Sequence, residues 1–378
     1  MTTKDRLLAA IKNEEADYVP MVIEWNEDRM HEKLNWTNAR ERLEFHRMHG
    51  WDTHVNLHSG ITPAACVNID KSIASGAGHK RVLTQVWHTP AGNITERLRA
   101  TDDWDELWEG GHPYLQMMSD FRTSRYIEYP FKSARDMEAL KYIFADDNPA
   151  DIARIKREHE AKRRLADEFD VPLFVYFDAG MDWLLWLFPP EEAIIRVLEE
   201  PDFIHAMLAH INEAKHRQLA QMLQLGVDGV MRRGWYESTD LWNPGIFKEF
   251  AMPALRKEID MVHGAGAPYI YIMDTGVDPL LADLATLDFD CLLGADPVLG
   301  GHDIGRLRRM LPGKSLWGGF SGPGHFGADS PDIAAKAVES AIEACGKRGL
   351  VLGMAVSFRH YWPWANFAAA EEAWIRFR

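Results

Sequence analysis

The chain has 378 residues, 46% of them hydrophobic, and 57 acidic against 42 basic side chains give a net charge of −15. That much apolar material supports a large core and argues against disorder, while the acidic balance argues against a nucleic-acid binder or a protein drawn to anionic lipid. Cys66, Cys291 and Cys345 are too scattered for a disulfide framework, which fits a reducing, cytoplasmic setting, and no apolar run approaches the ~20 residues of a membrane span.

The opening MTTKDRLLAAIKN reads as an amphipathic helix with Leu7, Leu8 and Ile11 on its apolar face, not as a signal peptide. A strand follows at VPMVIEW (19–25), then a charged helix at 37–48 and a second strand at THVNLHS (53–59). From 61 to 165 the alternation stops. Within this stretch KRVLTQVWHTPAGNITERLRA (80–100) predicts a hairpin around Thr89-Pro90-Ala91-Gly92-Asn93, SRYIEYPF (124–131) a short strand, and 133–141 a helix. No linker composition brackets 61–165, so it is expected to be an insertion over the barrel mouth within one domain, 1–378. Strands resume at VPLFVYFD (171–178), GVDGVMRRG (226–234), PYIYIMDTG (268–276), FDCLLGADP (289–297), SLWGGFSG (315–322) and LVLGMAVSF (350–358). Helices are expected at 201–225, 244–264, 278–287, 303–311 and 331–347, several opened by a polar cap and a proline, with Asp278 and Asp303 as caps. Eight apolar runs separated by helices predict an α/β fold, a (β/α)8 TIM barrel with an inserted β-hairpin-containing cap.

In such barrels the chemistry lies at the C-terminal strand ends. Asp274, Glu237, Glu24 and Asp296 are the candidate catalytic acids there. Arg232, Asp178, Trp235, Tyr236, Arg359, His360 and His58 are candidates for binding substrate, with Arg232 and Arg359 orienting an anionic group. One of Arg232 and Arg233 is expected to point into the mouth and the other to make a structural ion pair, since a charge in a buried strand needs a partner. Glu24 and Glu237 with a histidine, His302, form a candidate zinc site. The glycines from 318 to 327 lack a phosphate-loop pattern, and neither Ser321 nor Ser357 has the setting of a nucleophile elbow.

Six stretches together resemble a known family: RLLAAIKNEEADYVPM (6–21), VWHTPAGNITERLRA (86–100), YPFKSARDMEAL (129–140), GVDGVMRRGWYESTDLWNPGIFKEFAMPALRKEID (226–260), HGAGAPYIYIMDTG (263–276) and LPGKSLWGGFSGP (311–323). In order and spacing they resemble the uroporphyrinogen decarboxylase superfamily, which includes the decarboxylases of haem synthesis and cobalamin-linked methyltransferases. The resemblance implies the same barrel, often as a homodimer. The departures are specific. The decarboxylases carry an arginine-rich loop that holds substrate carboxylates; here the stretch after strand one is acidic, Glu24-Trp25-Asn26-Glu27-Asp28-Arg29, with only Arg29 to serve. Their aspartate at the tip of strand two is replaced by Asn56-Leu57-His58-Ser59. The zinc-dependent methyltransferases resemble His-x-Cys at strand five; here it is Met273-Asp274-Thr275-Gly276, and strand eight offers Ser357 in place of a cysteine. The function this implies is transfer of a methyl group from a small methylated donor to cobalamin carried by a partner corrinoid protein, the demethylase component of such a system. The alternatives are a decarboxylase of uroporphyrinogen or another carboxylated small molecule, and a non-catalytic ligand-binding barrel.

Overall fold

The computed structural model describes residues 1–25, 31–75, 81–99, 126–146 and 148–378. The chain divides into two compact units, one of Met1–His58, Glu158–Tyr176 and Met222–Arg378, the other of Ser59–Arg157 and Phe177–Gln221. Among the described residues the strands are β1 (Val55–His58), β2 (Asn68–Ser75), β3 (Arg81–Thr89), β4 (Gly92–Arg99), β5 (Tyr126–Glu128), β6 (Leu173–Asp178), β7 (Gly229–Arg233), β8 (Tyr269–Met273), β9 (Cys291–Gly294), β10 (Ser315–Gly319) and β11 (Leu350–Gly353).

The first unit is built on a seven-stranded sheet in the order β1-β6-β7-β8-β9-β10-β11. Its pairings are parallel throughout those recorded, from Val55 beside Leu173 to Gly319 beside Gly353. The strand expected at 19–25 is present only as two isolated parallel bridges to the far edge, Met21 with Leu352 and Trp25 with Phe358. Among the described residues no ladder joins this segment to β1, so the ring of eight strands expected from the sequence is not closed by backbone pairing. The cause is local. Pro20 has no N–H to give, and the Met21 N–H goes to the Asp52 carboxylate at 3.3 Å. Side chains span the seam instead: Asp52 also takes Arg6 at 2.8 Å, and Glu24 meets His54 at 3.0 Å.

Strand alternation sorts the side chains. Val22, Phe174, Met231, Ile270, Ile272, Cys291, Leu293, Trp317 and Val351 form one buried cluster with Leu7, Ala10 and Ile11 of the helix Thr3–Ile11. Residues of the other parity face the helices. Arg232 is one of them, and this corrects its assignment as a substrate ligand. It is 0% exposed, its Nη2 donates to Glu237 at 2.9 Å, and its Nε donates to Glu258 at 3.1 Å on the helix Met252–Gly264. Tyr269 and Tyr271, also outward, donate to Glu258 and Glu237 at 2.7 Å each. Burial works against the Arg232 charge, but the two glutamates hold its proton well above the ordinary arginine range. Glu237, expected to be a catalytic acid, is 0% exposed with both oxygens engaged in this strut. Gly234 makes room for it: a Cβ there would lie 2.5 Å from the Tyr271 ring and 2.8 Å from Glu237 Oε2.

The second unit carries the antiparallel sheet β2-β3-β4-β5. The expected hairpin is β3–β4, closed at Thr89 beside Gly92, where Thr89 Oγ1 donates to the Gly92 carbonyl at 2.7 Å. Its outer residues Lys80 and Ala100 lie outside the described residues, as does the start of the 124–131 run. β2 was not expected, because an exposed edge strand has no buried face to write a two-residue period into its sequence. The helix Pro149–Phe169 escaped for a similar reason, its surface being mostly charged. Phe177–Gln221 groups with the 59–157 stretch in this unit, a division that composition does not announce. At the helix starts, Asp303 caps Ile304–Met310 by accepting the Arg306 N–H at 3.0 Å. Asp278 makes no such cap, because its carboxylate is taken by His302 and Arg306.

The strut yields a stability prediction. Arg232→Met leaves two glutamates buried without their cation and should cost about 3–5 kcal/mol in chemical denaturation. A loss below ~1 kcal/mol would show that the strut does not hold the sheet to its helix.

Candidate active site

Alternation from Ile270 and Ile272 carries Asp274, just past β8, to the inner face of the sheet. The same count from Met231 carries Arg233 and Trp235 there, and Trp235 and Tyr176 pack against the inner cluster. The Arg233 guanidinium lies 4.5 Å from the Trp235 ring centre and 5.5 Å from that of Tyr176. Arg233 is therefore the inward arginine of the pair, and the sequence reading chose its neighbour.

Asp274 is the centre of an acidic group. Burial, and next the charge of Asp296, push its carboxyl up to about 6; His302 pulls the other way and Asp240 adds to the rise. The backbone holds the group together, since the Asp296 N–H donates to the Asp274 carbonyl at 2.9 Å. Asp296 is itself buried and accepts the Val298 and Leu299 N–H groups at 2.7 Å each through one oxygen, so much of its work is to fold this loop. Thr275 donates to Asp240, which lies on the turn after β7. Gly276, at φ +63°, lets the two turns meet: a Cβ would fall 2.8 Å from the Thr239 nitrogen and 2.9 Å from that of Asp240.

Glu24 belongs to a different cluster. Burial would raise its carboxyl, but His54, Arg42 and His46 outweigh it and hold it down at about 2. Glu24 thus stays ionised at any physiological pH. Its carbonyl accepts the Phe358 N–H at 2.7 Å, which brings the backbone of Arg359 and His360 alongside. Arg359 is half-buried and His360 exposed. Arg29 lies outside the described residues. His58 is exposed beside Tyr176, with ring centres 5.4 Å apart. Tyr236 is half-buried, and its carbonyl accepts the Trp242 indole N–H at 2.7 Å.

Asp178 is buried in the second unit, where its N–H donates to Ser59 Oγ at 3.1 Å. The sequence reading missed its partner there, Lys215, which is 3% exposed and donates to the Gly60 carbonyl at 2.6 Å and to Gln218 at 2.5 Å. Burial lowers the Lys215 ammonium to about 8, against the charges of Asp178 and Asp146. The signal was in the sequence: Asn212, Lys215 and Gln218 form a polar stripe along the helix Pro201–Gln224.

The zinc set does not form. Glu237 is spent on Arg232 and Tyr271, His302 is paired with Asp278, and Glu24 sits with His54. Among the described residues no three His, Cys, Asp or Glu side chains are arranged to hold a metal ion. The structure does bring together Asp274, Asp296 and His302.

The raised Asp274 carboxyl has a measurable cost. The folded protein binds this proton more tightly than the unfolded chain, so the stability it supports is complete below the ordinary carboxylate range and is lost as pH rises through about 6. Asp274→Asn should therefore raise stability at pH 8 by about 1–3 kcal/mol and change little near pH ~4. Thermal melts at the two pH values check this; equal destabilisation at both would contradict it.

Comparisons with known proteins place the fold and the family. A family model described as uroporphyrinogen decarboxylase (URO-D) matches residues 118–374. A methyltransferase from Methanosarcina mazei is similar in fold, with a TM-score of 0.55 and 17% identity over 100% of this chain and 99% of that one. A B12-independent methionine synthase from Shewanella sp. W3-18-1 is more remote, at TM-score 0.45 and 8% identity over 95% of this chain and 96% of that one. No curated protein sequence matches the chain. With the model spanning most of the molecule, including β6 to β11 and every member of the Asp274 group, the chain belongs to the uroporphyrinogen decarboxylase family.

Proposed function

We propose that this protein is a methyltransferase. It takes a methyl group from a small methylated donor and passes it to cobalamin held by a partner corrinoid protein. The observation that carries the reading is Asp274, a carboxyl at the end of β8 that keeps its proton to about pH 6. Breaking the bond between a methyl group and an ether oxygen or an amine nitrogen leaves a poor leaving group unless that atom is protonated as the bond breaks. Asp274 would give its proton to the heteroatom while the methyl carbon bonds to the acceptor. The demethylated product leaves with that proton, and water restores it to Asp274. Arg233, stacked on Trp235 and Tyr176, suits an anionic or aromatic part of the donor. The acceptor's cobalamin would supply the nucleophile, and this chain's part is to bind, orient and protonate the donor. Whole-length likeness to a methyltransferase supports the reading at the level of fold.

On this reading the first unit is a (β/α)8 barrel whose seam between 20–25 and β1 is bridged by side chains, and no helix among the described residues is long and apolar enough to cross a membrane. We place the protein in the cytoplasm, as a homodimer.

A second reading, decarboxylation of a carboxylated small molecule, is favoured by the description of the family model. In it Arg233 would hold a carboxylate and Asp274 would protonate the carbanion left by carbon dioxide. Against a substrate with many carboxylates stands Arg232, which is locked in the strut and offers nothing to the site.

The test is a panel of methyl ethers and methylamines with free reduced cobalamin as acceptor, methylation being read from its absorbance. An acid with a midpoint near 6 should give a rate that falls as pH rises above 6. Asp274→Asn should lower kcat by roughly 10²–10⁴-fold. Release of carbon dioxide from uroporphyrinogen, with no methylation of cobalamin, would reverse the order of the two readings.

A further inference from the structure

We propose that the cavity beside Arg47, at the foot of the first unit, is a second binding site and that it takes a small planar anion, a single-ring aromatic carboxylate. This does not depend on the reading of Asp274, which lies at the opposite end of the sheet.

The cavity measures about 220 Å³ and is walled by Arg6, Tyr18, Arg47, Trp51 and Phe169. Thr53 and Val171 also line it. They precede β1 and β6, so the cavity lies at the N-terminal strand ends, whereas Asp274 follows the C-terminal end of β8. Drug-sized ligands occupy roughly 300–1,000 Å³, so this space suits one ring and its substituent. Its electrostatics are unlike those of the whole chain. The protein carries a net charge of −15, yet none of the side chains lining the cavity is acidic. The two arginines play different parts. Arg6 is 6% exposed and already answered, its Nε by Asp17 at 2.6 Å and its Nη1 by Asp52 at 2.8 Å. It forms a wall with Tyr18, whose ring centre lies 3.7 Å from its guanidinium. Arg47 is exposed and pairs with no acidic side chain among the described residues. Glu168, the carboxylate that feels its charge, is held by Arg40 Nη2 at 2.6 Å. The Arg47 guanidinium instead lies 4.7 Å from the Phe169 ring centre, seated on an aromatic wall. Its place in the last turn of the helix Ala39–His49 does not account for it. The carbonyls of Arg47 and His46 there already accept the Gly50 and Trp51 N–H groups, at 3.3 and 2.9 Å. Thr3, also on the lining, opens the helix Thr3–Ile11, whose N-terminal end adds positive potential. A carboxylate is thus met by Arg47 through charge-assisted hydrogen bonds, and its ring by Tyr18 and Trp51.

Trp51 supplies the reporter, because its indole N–H is bonded to Glu371 at the edge of the cavity. The whole protein, labelled with ¹⁵N-tryptophan, is titrated with benzoate, and the Trp51 signal is assigned from its loss in W51F. Benzoate should move that signal saturably, and uncharged benzamide should need roughly tenfold more to do so. R47Q should weaken benzoate by a similar roughly tenfold. T3F keeps Arg47 but fills the cavity, and should abolish the shift. An unmoved Trp51 signal overturns the proposal. So does benzamide acting as well as benzoate, or benzoate binding unchanged in either variant when its thermal melt shows it folded. If R47Q fails to fold, T3F and the benzamide comparison still decide. The Trp235 signal, assigned from W235F, reports on Arg233 separately. Movement of Trp235 without Trp51 puts the anion at Arg233 and overturns this site while leaving the proposed function standing.

Discussion

A parallel strand offers only every second side chain to the inner face of its sheet, and the rest of this protein follows from that alternation. On β7 it sends Met231 and Arg233 inward and Arg232 outward. On β8 it sends Ile270, Ile272 and then Asp274 inward, while Tyr269 and Tyr271 face the helices. The outward set becomes a fully buried ionic strut, and the inward set joins the core cluster and leads to the candidate site at Asp274. A shift of one residue in either strand would exchange the two roles.

The two sets solve opposite electrostatic problems. Arg232 keeps its charge in the interior because two glutamates and two tyrosine hydroxyls satisfy the network around it. Among the described residues no cation is bonded to Asp274, and burial, then the charge of Asp296, presses a proton onto it. Glu24, at the end of the segment 20–25, is driven the other way by His54, Arg42 and His46. Carboxylates on one unit are thus pushed apart, one toward a proton donor near neutrality and one toward a permanent anion, a pattern typical of catalytic surfaces.

The seam between 20–25 and β1 shows a second consequence of local chemistry. Pro20 and the Asp52 carboxylate take the first residues of this segment out of ladder pairing on that side. The strand end bearing Glu24 is therefore tied by Phe358 on one side and by the His54 side chain on the other. Side-chain closure thus makes the Glu24 carboxylate part of the seam.

The sequence by itself determined the repeat of strand and helix, the hairpin at Thr89–Gly92, the family, and Asp274 as a strand-end acid, because each is written in local periodicity or in short ordered motifs. Two adjacent arginines cannot show which one faces inward until a register is set against neighbouring strands. The tertiary structure decided that: it spent Arg232 and Glu237 on each other, left Arg233 on the inner face, and dispersed the residues of the expected zinc site among other partners. It also decided the partners of Asp274, since Asp240 comes from the turn after β7 while Asp296 and His302 come from the loop after β9. The physical reason is that a charge in a folded chain is defined by what surrounds it, and those surroundings come from residues distant in sequence.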